Sequence, residues 1–203
     1  IGEMAARFGF GEAFNFGLPG ENRGLIPTPA WKRKTFGQAW HAGETLITSI
    51  GQGFILCTPL QLAVMTSRLV NGGRPVLPRL VKNERAEIQK RKSLQLSPQH
   101  LHTVLKGMDK VVNGSQGTAR KVVDQSMKFQ FGGKSGSVQV KRISLDERES
   151  GKLKNKDRPW HERDHAMFVA FAPLKSPRYV VSVVVEHGGC LLYTSDAADE
   201  VWG

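Results

Sequence analysis

The segment FQFGGKSGSVQV, residues 129–140, sets a lysine beside a hydroxyl residue between glycines, with a second serine two positions on. Such a cluster has three readings: a phosphate-cradling loop, an acyl-transfer site, or an ordinary turn. A phosphate loop requires G-x-x-x-x-G-K-[ST] with a helix starting at the lysine. Gly133, Lys134 and Ser135 match its end, but Lys128 stands where the leading glycine belongs. The residues after Ser135 alternate as a strand does, so the phosphate reading fails twice. Gly9 and Gly11 likewise lack the third glycine of a dinucleotide fingerprint. The acyl-transfer reading fits better. Side chains of a strand alternate, so Ser135 and Ser137 share a face. Gly133 and Gly136 flank the lysine and would let a ligand backbone lie close along the strand edge. A cation and hydroxyls on one strand edge suit an extended substrate ending in a carboxylate. An isolated K-[ST]-G is more often a turn with a solvated lysine, so the rest of the chain decides.

The elements that would position these residues are legible in part. TPLQLAVMTSRLVNGG starts with Thr58 as N-cap, Pro59 at the first helical position and Gln61 at the third, a capping box with a proline start. Asn71, Gly72 and Gly73 supply the left-handed stop. SPQHLHTVLKGMDKVVNG repeats this logic with Ser97 and Pro98. Its residues Leu101, Val104, Leu105, Met108, Val111 and Val112 form one helical stripe, read as core. RPVLPRLV reads as a short strand, and ERAEIQKRKS as a charged connection. Residues 16–40, rich in Gly and Pro, read as a long irregular loop. The opening IGEMAARFGFGEAF looks like the interior of an amphipathic helix and does not begin with methionine, which leads us to expect a missing N-terminal portion. In the C-terminal half, GKSGSVQV, DHAMFVAFAP and RYVVSVVVEHG read as three strands, the last two antiparallel across LKSP. The charged segment between the first two, residues 141–163, reads as a mobile loop. Helices followed by antiparallel strands predict an α+β fold.

Composition narrows the function. The chain has 203 residues, with 39% hydrophobic and 23% charged, the balance of a globular protein. Net charge is +11, but the basic stretches WKRK, KRKS and KLKNKDR lack the interleaved aromatics of a base-stacking surface. Nucleic acid is therefore not the expected partner. Cys57 and Cys190 fit neither a zinc pattern nor a disulfide framework. No apolar run reaches the roughly 20 residues of a spanning helix. His100 and His102, two apart on a helix, face apart and show no ligand spacing. Residues 190–203, CLLYTSDAADEVWG, change character abruptly and resemble translated adapter sequence, so they are set apart from the domain at 1–189.

With these blocks in place, the chain resembles the transpeptidase domain of class B penicillin-binding proteins of the elongation type. That family carries the set S-x-x-K, S-D-N and K-T-G. GGKSGSVQV resembles the third motif, with serine for threonine. LPGENRGLIPTPAWKRKTFGQAWHAGET, SIGQGFILCTPLQLA, NGSQGTARK and DHAMFVAFAPLKSPRYVVSVVVEHGG resemble further blocks, in family order. The resemblance covers nearly all of residues 1–189. It implies the β-lactamase/D,D-peptidase-like fold, an antiparallel sheet with helices packed on it, with the N-terminal portion absent. It implies serine acyl transfer between peptidoglycan stem peptides, trapping by β-lactams, no cofactor or metal, cell-elongation proteins as partners, and a domain outside the cytoplasmic membrane anchored by a segment not in this chain. Lys134 would hold the middle-motif serine and the substrate carboxylate, and Ser135 would hydrogen-bond that carboxylate. Gly136 and Ser137 complete the motif, with the Ser137 N–H in the oxyanion hole, and Gln139 lies with the substrate-binding residues. One departure stands out: no serine of the chain has a lysine three residues on, and no S-x-N occurs. Thr103 and Lys106 share that spacing but fall on the packed helix. The acylated serine and its base are therefore not in this sequence, and the chain alone is expected to be inactive. The alternatives are a β-lactamase or D,D-carboxypeptidase of the same fold, and a non-catalytic basic binding module.

Overall fold

The computed structural model describes residues 1–15, 17, 19–81, 93–123, 127, 129–141 and 158–189. The expected charged connection after residue 83, most of the loop after Lys141, and residues 190–203 lie outside the described residues. The chain forms two compact units, Ile1–Leu101 and His102–Gly203.

Among its described residues the first unit holds the helices α1 (Gly2–Phe8), α2 (Pro29–Phe36), α3 (Ala42–Ser49) and α4 (Pro59–Val70). The capping box of α4 forms as its sequence predicts. The Thr58 hydroxyl accepts from the Gln61 backbone N–H at 3.1 Å, and the Gln61 side-chain Oε1 accepts from the Thr58 backbone N–H at 3.0 Å. Gln61 does more than cap. It is 1% exposed, and its amide donates to the carbonyls of Glu12 at 3.1 Å and Arg23 at 2.8 Å. One buried side chain thus fastens two loop segments to the start of α4. Beside it Gly24 has φ +63°, and a Cβ there would stand 2.3 Å from the Leu56 carbonyl oxygen. Only glycine lets Leu25 and Leu56 exchange their backbone bonds, at 2.7 and 2.9 Å. Replacing Gln61 with leucine would remove the donor of two part-buried carbonyls, and each one left unsatisfied costs up to about 1–3 kcal/mol. A clear fall in melting temperature is expected, and an unchanged transition would show that water serves these carbonyls instead.

The stop of α4 differs in detail from expectation. Asn71 stays at φ −95°, and the left-handed residues are Gly72 and Gly73. The Gly73 N–H donates to the Arg68 carbonyl at 2.8 Å. Arg68, 3% exposed, donates from its guanidinium to the carbonyls of Arg7 at 2.8 Å and Val76 at 3.1 Å. It thereby ties α1 and the segment after α4 to this helix.

Three expectations for this unit are corrected. The opening is a seven-residue helix with no buried residue, ended by Gly9 at φ +101°. The stretch 16–40 contains α2, where Thr28 and Pro29 repeat the Thr-Pro start of α4 and the Thr28 hydroxyl accepts from the Trp31 N–H at 3.1 Å. RPVLPRLV forms no strand. Pro75 and Pro78 have no N–H to offer a ladder.

Helices α2 and α3 are joined by an ion pair. Lys32, 3% exposed, reaches Glu44 at 2.6 Å, and Glu44 also accepts from the His41 N–H at 2.8 Å. The bond from Lys32, then that from His41, holds the Glu44 carboxyl below its ordinary value. A depressed carboxyl contributes stability that is present above its unfolded-state value and lost as pH falls through its folded value. Acidification therefore leaves a buried ammonium without its counter-charge. Glu44→Gln should lower the melting temperature at neutral pH and flatten its acid dependence, whereas Lys32→Met should be tolerated better, because it removes the buried charge itself. Equal losses for both variants would contradict this assignment.

The second unit carries α5 (Pro98–Asn113, which starts just before it) and the strands β1 (Gly132–Val138), β2 (His165–Ala172) and β3 (Tyr179–Val185). Met108 and Val112 of α5 are buried as the stripe predicts, whereas Val104 is 47% exposed and lies off it. The sheet has the order β1-β2-β3 and is antiparallel throughout, as expected for an α+β fold. Ala166, Val169 and Phe171 of the central strand are buried. The β2–β3 connection is closed by the Arg178 N–H on the Ala172 carbonyl at 2.8 Å. At the far end of the described gap, Lys141 pairs with Glu162 at 3.1 Å.

Candidate active site

Strand β1 is an edge of the described sheet, and it carries Lys134, Ser135, Gly136 and Ser137. The backbone beyond Ser135 continues as strand, not helix, which excludes the phosphate loop on structural grounds as well. An edge strand leaves a row of backbone donors and acceptors open to an added chain. Lys134, Gly136 and Ser137 are exposed, and Ser135 is half-buried. Gln139 is exposed just beyond the end of the strand. Register pairs Ser135 with Phe168 and Ser137 with Ala166 on β2. The serines share a face and Lys134 alternates to the other, but its ammonium turns back to donate to the Ser135 carbonyl at 2.6 Å. Cation and hydroxyl thus lie one residue apart along the strand edge.

The flanking glycines divide into two kinds. Gly133 is buried, and a Cβ there would stand 2.7 Å from both the Phe168 ring and the Val169 carbonyl oxygen. Gly132 is the same case against the Phe171 ring, at 2.5 Å. These two are demanded by β2, which corrects the expectation that Gly133 makes room for a ligand. At Gly136 the nearest atom to an added Cβ is the Met167 Cβ at 3.8 Å, an ordinary contact. Its missing side chain is not demanded by packing.

The approach to β1 is braced by α5. Asn113 donates from its side chain to the Phe131 carbonyl at 2.9 Å, just before the strand. Gly117 presses on the last turn of the helix, where a Cβ would stand 2.4 Å from the Val111 carbonyl oxygen. The loop so held brings Thr118 Oγ1 to 3.4 Å from Ser135 Oγ. Thr118 was not among the residues expected at the site. Its only sequence signals were its place in NGSQGTARK and a lysine, Lys121, three residues on, the spacing shared by Thr103 and Lys106.

A cavity of about 550 Å³ lies at the end of α5, lined by Val112, Asn113, Arg120, Phe129 and Phe131 among others, and none of the four motif residues lines it. Among the described residues no group of three His, Cys, Asp or Glu side chains is placed to hold a metal, and no helix is long and apolar enough to cross a membrane.

An antiparallel sheet after helices, with a K-S-G-S strand at its edge, is the arrangement shared by serine β-lactamases and D,D-peptidases, and the family model for the penicillin binding protein transpeptidase domain matches residues 1–202. The chain belongs to that family. It is 36% identical over 190 residues to the peptidoglycan D,D-transpeptidase MrdA of Haemophilus influenzae, covering 90% of this chain and 28% of that protein. It is 31% identical to the MrdA of Salmonella typhimurium, covering 93% of this chain and 31% of that protein. Among solved structures, the Pseudomonas aeruginosa penicillin-binding protein 2 in complex with WCK 5153 matches with a TM-score of 0.75 and 34% identity, over 100% of this chain and 43% of that one. The Helicobacter pylori penicillin-binding protein 2 in complex with MreC matches with a TM-score of 0.77 and 30% identity, over 99% and 36%. Within the family the chain is of the penicillin-binding protein 2, or MrdA, type. It spans under a third of the length of these two curated relatives.

Proposed function

We propose that residues 1–189 form the C-terminal part of a peptidoglycan D,D-transpeptidase domain, whose acylated serine and lysine base come from a segment carrying S-x-x-K outside this chain. The observation that carries this reading is the K-S-G-S strand, open along its edge, in a chain matched by the family almost from end to end. An extended stem peptide adds to the edge of β1 as a further strand. Lys134 supplies the positive charge near its terminal carboxylate and beside the middle-motif serine. The Ser135 hydroxyl donates to that carboxylate. The Ser137 N–H donates to the oxyanion formed when the serine attacks the carbonyl of the penultimate D-alanine. The terminal D-alanine leaves, and the amine of a second stem takes the acyl group. A β-lactam presents a carboxylate and a strained carbonyl in the same relation, and its acyl-enzyme persists. Gln139, just beyond the strand, extends the contact surface.

A β-lactamase or carboxypeptidase would use the same strand with water as acceptor, but the MrdA relatives are transpeptidases by name. The domain acts outside the cytoplasmic membrane, and its partners include cell-elongation proteins. The Helicobacter pylori complex with MreC supports such a partner.

Labelling by a fluorescent penicillin tests the reading. The chain alone should not be labelled, and the chain joined to its S-x-x-K segment should be. Ser135→Thr should label as the parent does, since the hydroxyl survives. Ser135→Ala should slow acylation by the worth of a hydrogen bond to a charged group, about 1.5–3 kcal/mol. Covalent labelling of the chain alone would overturn the assignment of the nucleophile.

A further inference from the structure

Thr118 lies outside the motif, yet its hydroxyl stands 3.4 Å from that of Ser135. Among the described residues this is its only hydrogen-bond partner. The distance exceeds the roughly 2.5–3.0 Å of a good O–H···O bond. A hydroxyl has one hydrogen to donate. Between two hydroxyls only one hydrogen is used, and the other points elsewhere. A carboxylate offers two acceptor oxygens and no donor, so it takes both hydrogens at once. The pair is thus better matched to a carboxylate than to itself.

The position of Thr118 is imposed by the fold. Gly117 before it can carry no side chain against the Val111 carbonyl. Ala119 after it is 1% exposed and donates its N–H to the same carbonyl at 3.0 Å. Thr118 itself is exposed, so its side chain contributes nothing to the core. Exposed Arg120 and Lys121 come next and add positive charge to the approach.

We propose that Thr118 is a substrate-binding residue, the second hydroxyl of a two-pronged site that with Ser135 grips the terminal carboxylate of the stem peptide or β-lactam. This rests on the transpeptidase function proposed for the domain. Its chemical consequence is selectivity for a free carboxylate over an ester or amide at the same position, since only the carboxylate accepts from both prongs as an anion.

The test uses the transpeptidase carrying this chain together with its nucleophile segment. Acylation by benzylpenicillin and by its methyl ester is measured for the parent, Thr118→Val, Thr118→Ser and Lys134→Ala, with melting temperatures recorded for each. Thr118→Val should slow acylation by the free acid about tenfold, the worth of one bond to a charged acceptor, through weaker initial binding. Its rate with the ester should be nearly unchanged, and Thr118→Ser should restore the parent behaviour. Equal slowing with acid and ester would reduce Thr118 to a loop residue and overturn the proposal. A parent-like Thr118→Val beside a crippled Lys134→Ala would also overturn it, leaving the transpeptidase reading intact. A parent-like Lys134→Ala would count against that reading itself.

Discussion

Lys134→Ala, made in the intact transpeptidase, is expected to lower the second-order rate constant for acylation by benzylpenicillin by about a hundredfold or more, with no change in melting temperature. The size comes from the cost of removing one preorganised electrostatic partner in related acyl-transfer chemistry, about 10²–10³ in rate. The silence in stability comes from the structure. Lys134 is exposed, and its ammonium rests on the Ser135 carbonyl of its own strand at 2.6 Å, where water can take its place. Lys134→Arg should not rescue fully, because a planar guanidinium cannot replace a compact ammonium between two acceptors. An alanine variant that acylates at the parent rate would make Lys134 a surface lysine.

The second large effect is expected one residue earlier. Gly133→Ala places a methyl 2.7 Å from the Phe168 ring and the Val169 carbonyl oxygen, closer than real contacts allow. Backbone cannot yield as a long side chain does, so β1 must lift from β2. Overpacking of this kind costs about 1–3 kcal/mol, at times more. The melting temperature should fall, and acylation should fall with it, because Ser135 and Ser137 ride on the displaced strand. Gly136→Ala makes the contrast. Its methyl meets only the Met167 Cβ at 3.8 Å, so the fold should hold and the melting temperature should stay near the parent's. Similar stability losses at both glycines would show that the division between them is wrong.

These two glycines also show how far the sequence can be read. Its alternation and turn signals were enough for the three strands and the antiparallel pairing of the last two, but not for the pairing of β1 with β2. The Thr-Pro start with its glutamine was enough for α4. The same Thr-Pro pair at Thr28 went unread, because the surrounding Gly and Pro residues carry no sustained period. RPVLPRLV has the apolar spacing of a strand, but Pro75 and Pro78 deny a ladder two of its donors. The opposite roles of Gly133 and Gly136 were out of reach, since they depend on which β2 residue lies across the ladder. Thr118 was hidden for a similar reason. Its nearness to Ser135 is made by a tertiary contact between a loop pressed on α5 and a strand, 17 residues apart in sequence.

The central claim is that β1 grips a carboxylate and stabilises an acyl oxyanion. The most direct measurement is a crystal structure of the intact transpeptidase acylated by benzylpenicillin. The account predicts the penicillin carboxylate within hydrogen-bond distance of the Ser135 hydroxyl and near the Lys134 ammonium, and the ester carbonyl oxygen accepting from the Ser137 N–H. An acylated serine whose carboxylate and carbonyl lie away from β1 would contradict it.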